Sequence, residues 1–81
     1  MAGTLRIIWD EDAGGNAEHI ADNGLSFDDV ESILEFPFEK LISRSSGRPL
    51  WIGRTLSGER ACVVFDWCDV DLVYPVTAFR I

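Results

Sequence analysis

Within residues 16–35 the apolar side chains fall three and four positions apart; from Phe38 onward they alternate with polar ones, and Pro37 stands at the change. A period near 3.6 belongs to helices with one buried face, and a period of 2 belongs to strands. Helices followed by an unbroken series of strands predict an α+β domain, with the helices gathered on one face of a mainly antiparallel sheet.

Ahead of the helical stretch, Leu5-Arg6-Ile7-Ile8-Trp9 is a run of β-branched and aromatic residues closed by Asp10-Glu11-Asp12, and it reads as a first strand. Ala13-Gly14-Gly15 breaks the chain. Ala17, Ile20 and Ala21 then space a short first helix over residues 16–23, with Gly24 where a left-handed C-terminal cap belongs. The second helix carries the fullest start signal. Ser26 is an N-cap, Asp29 completes a capping box, Leu25 and Val30 hold the hydrophobic-staple positions, and Asp28 suits the positive helix end. Phe27, Val30, Ile33 and Leu34 make its apolar face; Asp28, Asp29, Glu31 and Glu35 make an acidic one; Pro37 stops it. The two helices are expected to form a tight hairpin.

Strands are expected over residues 38–44, 50–55, 60–67 and 72–79, joined by Ser-Ser-Gly, Ser-Gly and Cys-Asp-Val-Asp turns. The stretch Arg48 to Thr55 lies between two hairpins and is expected to be the central strand. Alternation puts Leu50, Ile52 and Arg54 on one of its faces and Trp51, Gly53 and Thr55 on the other. Pro75 has no N–H for a ladder, so the last strand is at an edge there or carries a bulge. The order β-α-α-β-β-β-β predicts a single two-layer domain over residues 1–81, with the helical hairpin on one face of a twisted sheet. Nothing follows the last strand to cover the opposite face, which is expected to be exposed or to meet a partner, a second copy of the chain included.

The charge is uneven. Residues 1–39 hold ten of the fourteen acids against Arg6 alone, a net of −9, whereas residues 40–81 hold four acids against six bases, a net of +2, within the overall −7. The acidic half repels nucleic acid and attracts basic partners; the other half can still present a local anion site. No apolar run reaches membrane-spanning length and no signal-peptide pattern opens the chain, so a soluble, cytoplasmic protein is expected. Cys62, Cys68 and His19 are too few for a zinc site, and two thiols make no disulfide scaffold; Cys62 reads as core and Cys68 as a turn residue. No metal and no cofactor is expected.

Metal-independent cleavage of a phosphodiester needs cations to hold the phosphate and groups to move protons. Lys40, Arg44, Arg48, Arg54, Arg60 and Arg80 all lie in the strand half. Arg54 shares a face with Leu50 and Ile52, and Arg60 lies just across the next turn, so the two could clamp an anion. Equally, each arginine could bridge to one of the many acids. His19 is the one side chain that titrates near neutrality unperturbed, and it is either a proton-transfer group or a surface residue beside Glu18 and Asp22. Tyr74 is either a proton donor or a residue of the core or rim. Asp66 is a salt-bridge partner for an arginine on the next strand or a turn residue.

Several short stretches together resemble a known family: Trp9-Asp10, Glu18-His19-Ile20-Ala21, Gly24-Leu25-Ser26-Phe27 with Val30, Ile52-Gly53-Arg54-Thr55, Cys62-Val63-Val64-Phe65 and Val76-Thr77-Ala78. Spread over residues 7–79, they look like the BrnT-type toxins of the RelE/ParE-like superfamily. The resemblance implies a RelE-like fold and the toxin of a type II toxin–antitoxin system, a metal-independent endoribonuclease with RNA as substrate and a cognate antitoxin as partner. On that reading the catalytic set is drawn from His19, Arg54, Arg80 and Tyr74, with Arg44, Arg48 and Arg60 as RNA contacts. Arg54 matches the family's arginine. Where the family has a basic residue and a histidine before the glycine this chain has Asp22 and Asn23, and where the family has arginine near the end it has Phe79, with Arg80 one place later; the expected site is therefore a degenerate one. The alternative is a non-catalytic protein-binding module on the same fold, its acidic helical face turned to a basic partner.

Overall fold

In the computed structural model, which describes residues 5–81, the chain forms β1 (Arg6–Ile7), α1 (Asn16–Asp22), α2 (Phe27–Glu35), β2 (Glu39–Ile42), β3 (Pro49–Arg54), β4 (Arg60–Trp67) and β5 (Leu72–Arg80). The strands make one mixed sheet in the order β1-β5-β4-β3-β2, antiparallel throughout except where β1 runs parallel to β5. The α+β class and the element order match the sequence reading. The first strand is shorter than the apolar run suggested, pairing only Arg6 with Leu72 and Ile7 with Val73.

Two expectations need correction. β3 has a neighbour on each side but is not central: β4 is the middle strand, and all of Ala61 to Phe65 on it are buried on both faces of the sheet. The helices, moreover, do not form a hairpin packed on itself. α1 lies against β5 and α2 against β3 and β4, so each buries its apolar stripe mainly on the sheet. A seven-residue and a nine-residue helix are too short to be stable alone, and the sheet supplies the apolar surface that each lacks.

The register assigns the faces. Trp51 pairs with Val63 and Gly53 with Ala61, and these side chains face the helices; Leu50 pairs with Val64 and Ile52 with Cys62 on the other face. The core joins Ile20, Leu25, Val30, Ile33 and Leu34 to Ala61, Val63, Phe65, Val73 and Ala78. Phe65, fully buried, meets Trp51 and Trp67 edge to face at 4.9 and 5.3 Å. Gly53 lets α2 approach, since a Cβ there would lie 3.1 Å from the Ile33 Cα. Between Val64 and Phe65 the β4–β5 register shifts, so Val76 is an extra residue on β5 next to Pro75. Of the two places allowed for Pro75, the bulge is the one observed.

The capping box forms as expected: the Asp29 N–H donates to Ser26 Oγ at 3.1 Å and the Ser26 N–H to Asp29 Oδ2 at 3.0 Å, with Leu25 and Val30 both buried. Neither helix is long and apolar enough to cross a membrane.

Candidate functional site

The β3–β4 hairpin is where the chain concentrates free positive charge. Arg54 ends β3 and Arg60 begins β4, and the two are direct cross-strand partners on the face away from the helices. The turn between them is tightly held. The Thr55 N–H donates to the Glu59 carbonyl at 2.8 Å, the Glu59 N–H returns to Thr55 Oγ1 at 3.1 Å, and Gly58 takes a φ of +89°, a conformation that glycine adopts without a Cβ clash. α2 fixes the hairpin from below: Ser32 Oγ donates to the Arg54 carbonyl at 3.1 Å, and the Leu56 N–H donates to Asp29 Oδ1 at 3.0 Å. One carboxylate thus both caps α2 and anchors the turn that carries the arginines.

The guanidinium of Arg54 donates through Nη1 to the Gly58 carbonyl at 2.9 Å. The Cζ atoms of Arg54 and Arg60 stand 5.8 and 5.6 Å from the centre of the Phe38 ring, so both cations lie within cation–π range of the same aromatic ring. Among the described residues neither arginine forms an ion pair. Like charges directly opposite in a ladder repel, and an anion between them would reverse the sign of that interaction. Chemically, the arrangement is a two-cation clamp with an aromatic floor, suited to a phosphate or carboxylate group.

Beyond the clamp the outer sheet face is apolar. Ile52, Cys62 and Val64 are buried on it, and the Cys62 thiol is pushed up by burial. A depression of about 280 Å³ on this face is bordered by Arg48, Leu50, Val64, Val76, Thr77 and Phe79. At its far end Arg48 Nε meets Asp66 Oδ1 at 2.8 Å, which gives Asp66 the salt-bridge role and engages Arg48 internally. Tyr74, half-buried, pairs with Asp66 across the β4–β5 ladder. Asp66 lies six positions along β4 from Arg60, about 20 Å of strand. Tyr74 and the clamp therefore lie at opposite ends of the sheet. Arg44 is exposed at the β2–β3 connection, at the end away from the clamp.

Arg80 ends β5 opposite Ala61, so it starts from the same end of the sheet as Arg60 but from the helix-facing side. Its Nε pairs with Glu59 at 3.0 Å, and its Nη1 donates to the Asn23 carbonyl at 3.3 Å. Asn23, the residue standing where the resembled family has histidine, is used structurally: its Nδ2 donates to the Ala78 carbonyl at 2.9 Å. His19 is exposed on α1, one turn before Asn23. Arg54 and Arg60 are thus brought together, Arg80 lies nearby with its charge partly committed, and His19 and Tyr74 belong to other parts of the surface.

Phe38 and Ser32 escaped the sequence reading as partners of Arg54. Phe38 was legible only as the start of a strand, and no local signal tells that its ring lies beside two guanidinium groups. Among the described residues no three of His, Cys, Asp and Glu come together as metal ligands. No protein-family model, curated protein or solved structure matches this chain.

Proposed function

We propose that the chain is a toxin-like protein of a type II toxin–antitoxin pair, built on a RelE-like version of the α+β fold, in which Arg54 and Arg60 hold a phosphate of RNA. The observation that carries this reading is the cross-strand arginine pair. Ser32 and Gly58 hold Arg54, both guanidinium groups lie near the Phe38 ring, and neither has a carboxylate partner among the described residues. The motif resemblance supports it at Arg54. Cleavage would be metal-independent and weak, because the candidate proton carriers His19 and Tyr74 stand apart from the clamp. A cognate antitoxin is the protein partner of this reading.

The test is a metal-free assay with a labelled single-stranded RNA at low salt, reading binding and cleavage separately for the intact protein, Arg54→Ala and Arg60→Ala. Binding that each substitution weakens, with slow cleavage lost in both, is the expected result. Binding that survives both substitutions would remove the clamp from the reading. A second reading, a non-catalytic protein-binding module on the same fold, is favoured by the same separation of proton carriers and cations; RNA binding with no cleavage at any salt concentration would leave it standing alone.

A further inference from the structure

On the helix side of the sheet, two depressions flank α2 and share two carboxylates. One, of about 290 Å³, lies between α2 and β1, with Leu5, Ile7, Trp9 and Leu34 as its apolar lining and Glu31 and Glu35 at its rim. The second, of about 390 Å³, lies between α2 and the β3–β4 turn and joins Glu31 and Glu35 to Asp28, Ser32, Phe36 and Leu56. Glu31 and Glu35, one helical turn apart, form an acidic ridge between the two grooves. The walls are firm: Trp9 stacks on Phe27 with centroids 4.2 Å apart, and Leu56 is held through its N–H by Asp29. Phe36 and Leu56 nonetheless leave 72% and 69% of their surface in water. Among the described residues, neither Glu31 nor Glu35 has an ion-pair or side-chain hydrogen-bond partner.

We propose that this surface docks a basic amphipathic helix of a partner protein. Two Lys or Arg residues one turn apart meet Glu31 and Glu35, and apolar side chains on either side of them enter the two grooves. Charge complementarity selects the occupant. The ridge belongs to the half of the chain with a net of −9, so a second copy docking here with the same face, or an RNA, brings charge of the wrong sign. Geometry matches as well: residues four apart on a facing helix present their charges at about the same 6 Å spacing as the glutamates. Exposed ion pairs contribute little by themselves, so the grooves supply the affinity and the glutamates the register and sign. The inference rests on the protein-partner part of the reading above and is independent of RNA binding.

The test uses a fluorescently labelled synthetic helix with lysines one turn apart on a leucine-bordered stripe, read by anisotropy. The intact protein is expected to bind it. Glu31→Gln with Glu35→Gln is expected to weaken binding about three- to tenfold, and Leu56→Ser to weaken it as well; all three side chains sit at the surface or a groove rim, and circular dichroism checks the fold. Glu11→Gln with Glu18→Gln removes the same charge elsewhere and is expected to change affinity far less. An equal loss in that control reduces the effect to net charge and overturns the proposal. So does absence of binding by the intact protein, or tighter binding of an extended peptide in which Lys and Leu alternate. Arg54→Ala is expected to leave peptide binding intact, and the Glu31/Glu35 variant to leave RNA binding intact, so failure of one reading is distinguishable from failure of the other.

Discussion

The buried carboxamide of Asn16 donates to the carbonyl of Pro75 at 2.9 Å, across 59 residues of sequence. The same Nδ2 donates to the Ile8 carbonyl at 2.9 Å, and Oδ1 accepts from the Asp10 N–H at 2.7 Å. Seven residues on, Asn23 donates to the Ala78 carbonyl. Residues seven apart lie on one face of a helix, so one asparagine at each end of α1 clamps it along β5, on either side of the bulge.

Replacing Asn16 with alanine strands the buried Pro75 carbonyl and the part-buried Ile8 carbonyl and Asp10 N–H. A loss of about 2–4 kcal/mol of stability is expected, larger than the about 0.5–1.5 kcal/mol for Asn23→Ala at its exposed site. Urea unfolding of both variants measures the difference, and equal losses would deny Asn16 its special place.

Two glycines before and after α1 are expected to resist alanine for different reasons. At Gly15 a Cβ would stand 2.4 Å from the Asp10 carbonyl oxygen, a backbone atom that cannot move aside cheaply; overpacking of that kind costs about 1–3 kcal/mol. At Gly24 the neighbour is the far end of the long Arg80 side chain, and the cost, about 1–2 kcal/mol, comes from its φ of +82°. Arg80→Ala is expected to relieve none of the Gly24 penalty. Thermal melts of the double variant check this.

Asp29 gives the fold an acid-sensitive joint. Partial burial by itself would raise its pKa, but the N–H groups of Leu56 and Ser26, the Ser26 hydroxyl and nearby Arg80 outweigh that and hold it below the ordinary 3.8. A depressed carboxylate contributes stability that is fully present above pH 3.8 and is lost as pH falls through the lower folded-state value. Asp71, lowered chiefly by its hydrogen bond from Arg6, titrates in the same window. Asp29→Asn is therefore expected to flatten part of the stability loss below pH 3.8, with the Asp71 share remaining. Denaturant midpoints for both proteins across this range measure it.

The arginine clamp predicts opposite responses of stability and binding. Because Arg54 and Arg60 repel across the ladder, Arg60→Gln is expected to change stability by no more than about 0.5 kcal/mol, and in the favourable direction. Its affinity for RNA is expected to fall, and the slope of log affinity against log salt to shrink by about 0.7 for the lost phosphate contact on a single strand. A variant that loses stability and keeps its salt slope would mark Arg60 as structural.

Features built from neighbours in sequence were legible before the fold was known. The Ser26–Asp29 capping box spans one helical turn, the restriction of Pro75 to an edge or a bulge follows from a missing N–H, and the Arg54–Arg60 pairing follows from a short turn with alternation on either side. Asn16 was read only as the start of a helix, because the carbonyls it satisfies belong to distant strands. The resting place of the guanidinium groups on Phe38 was equally hidden, as was the rise of β4 over β3 to the middle of the sheet. Strand order depends on which edges meet, and alternation within a strand carries no record of that.

By itself, then, the amino-acid sequence determined the α+β class, the sequence of elements, the faces of α2 and β3, and the acidic character of the helical half, all of which follow from periodicity, capping and charge within a few residues. Tertiary structure decided the position of β1 beside β5, the independent seating of each helix on the sheet, the separation of His19 and Tyr74 from the clamp, and the acidic ridge between two grooves. Those features depend on contacts between residues far apart in the chain, where the gain from burial and hydrogen-bond satisfaction, rather than local preference, selects the arrangement.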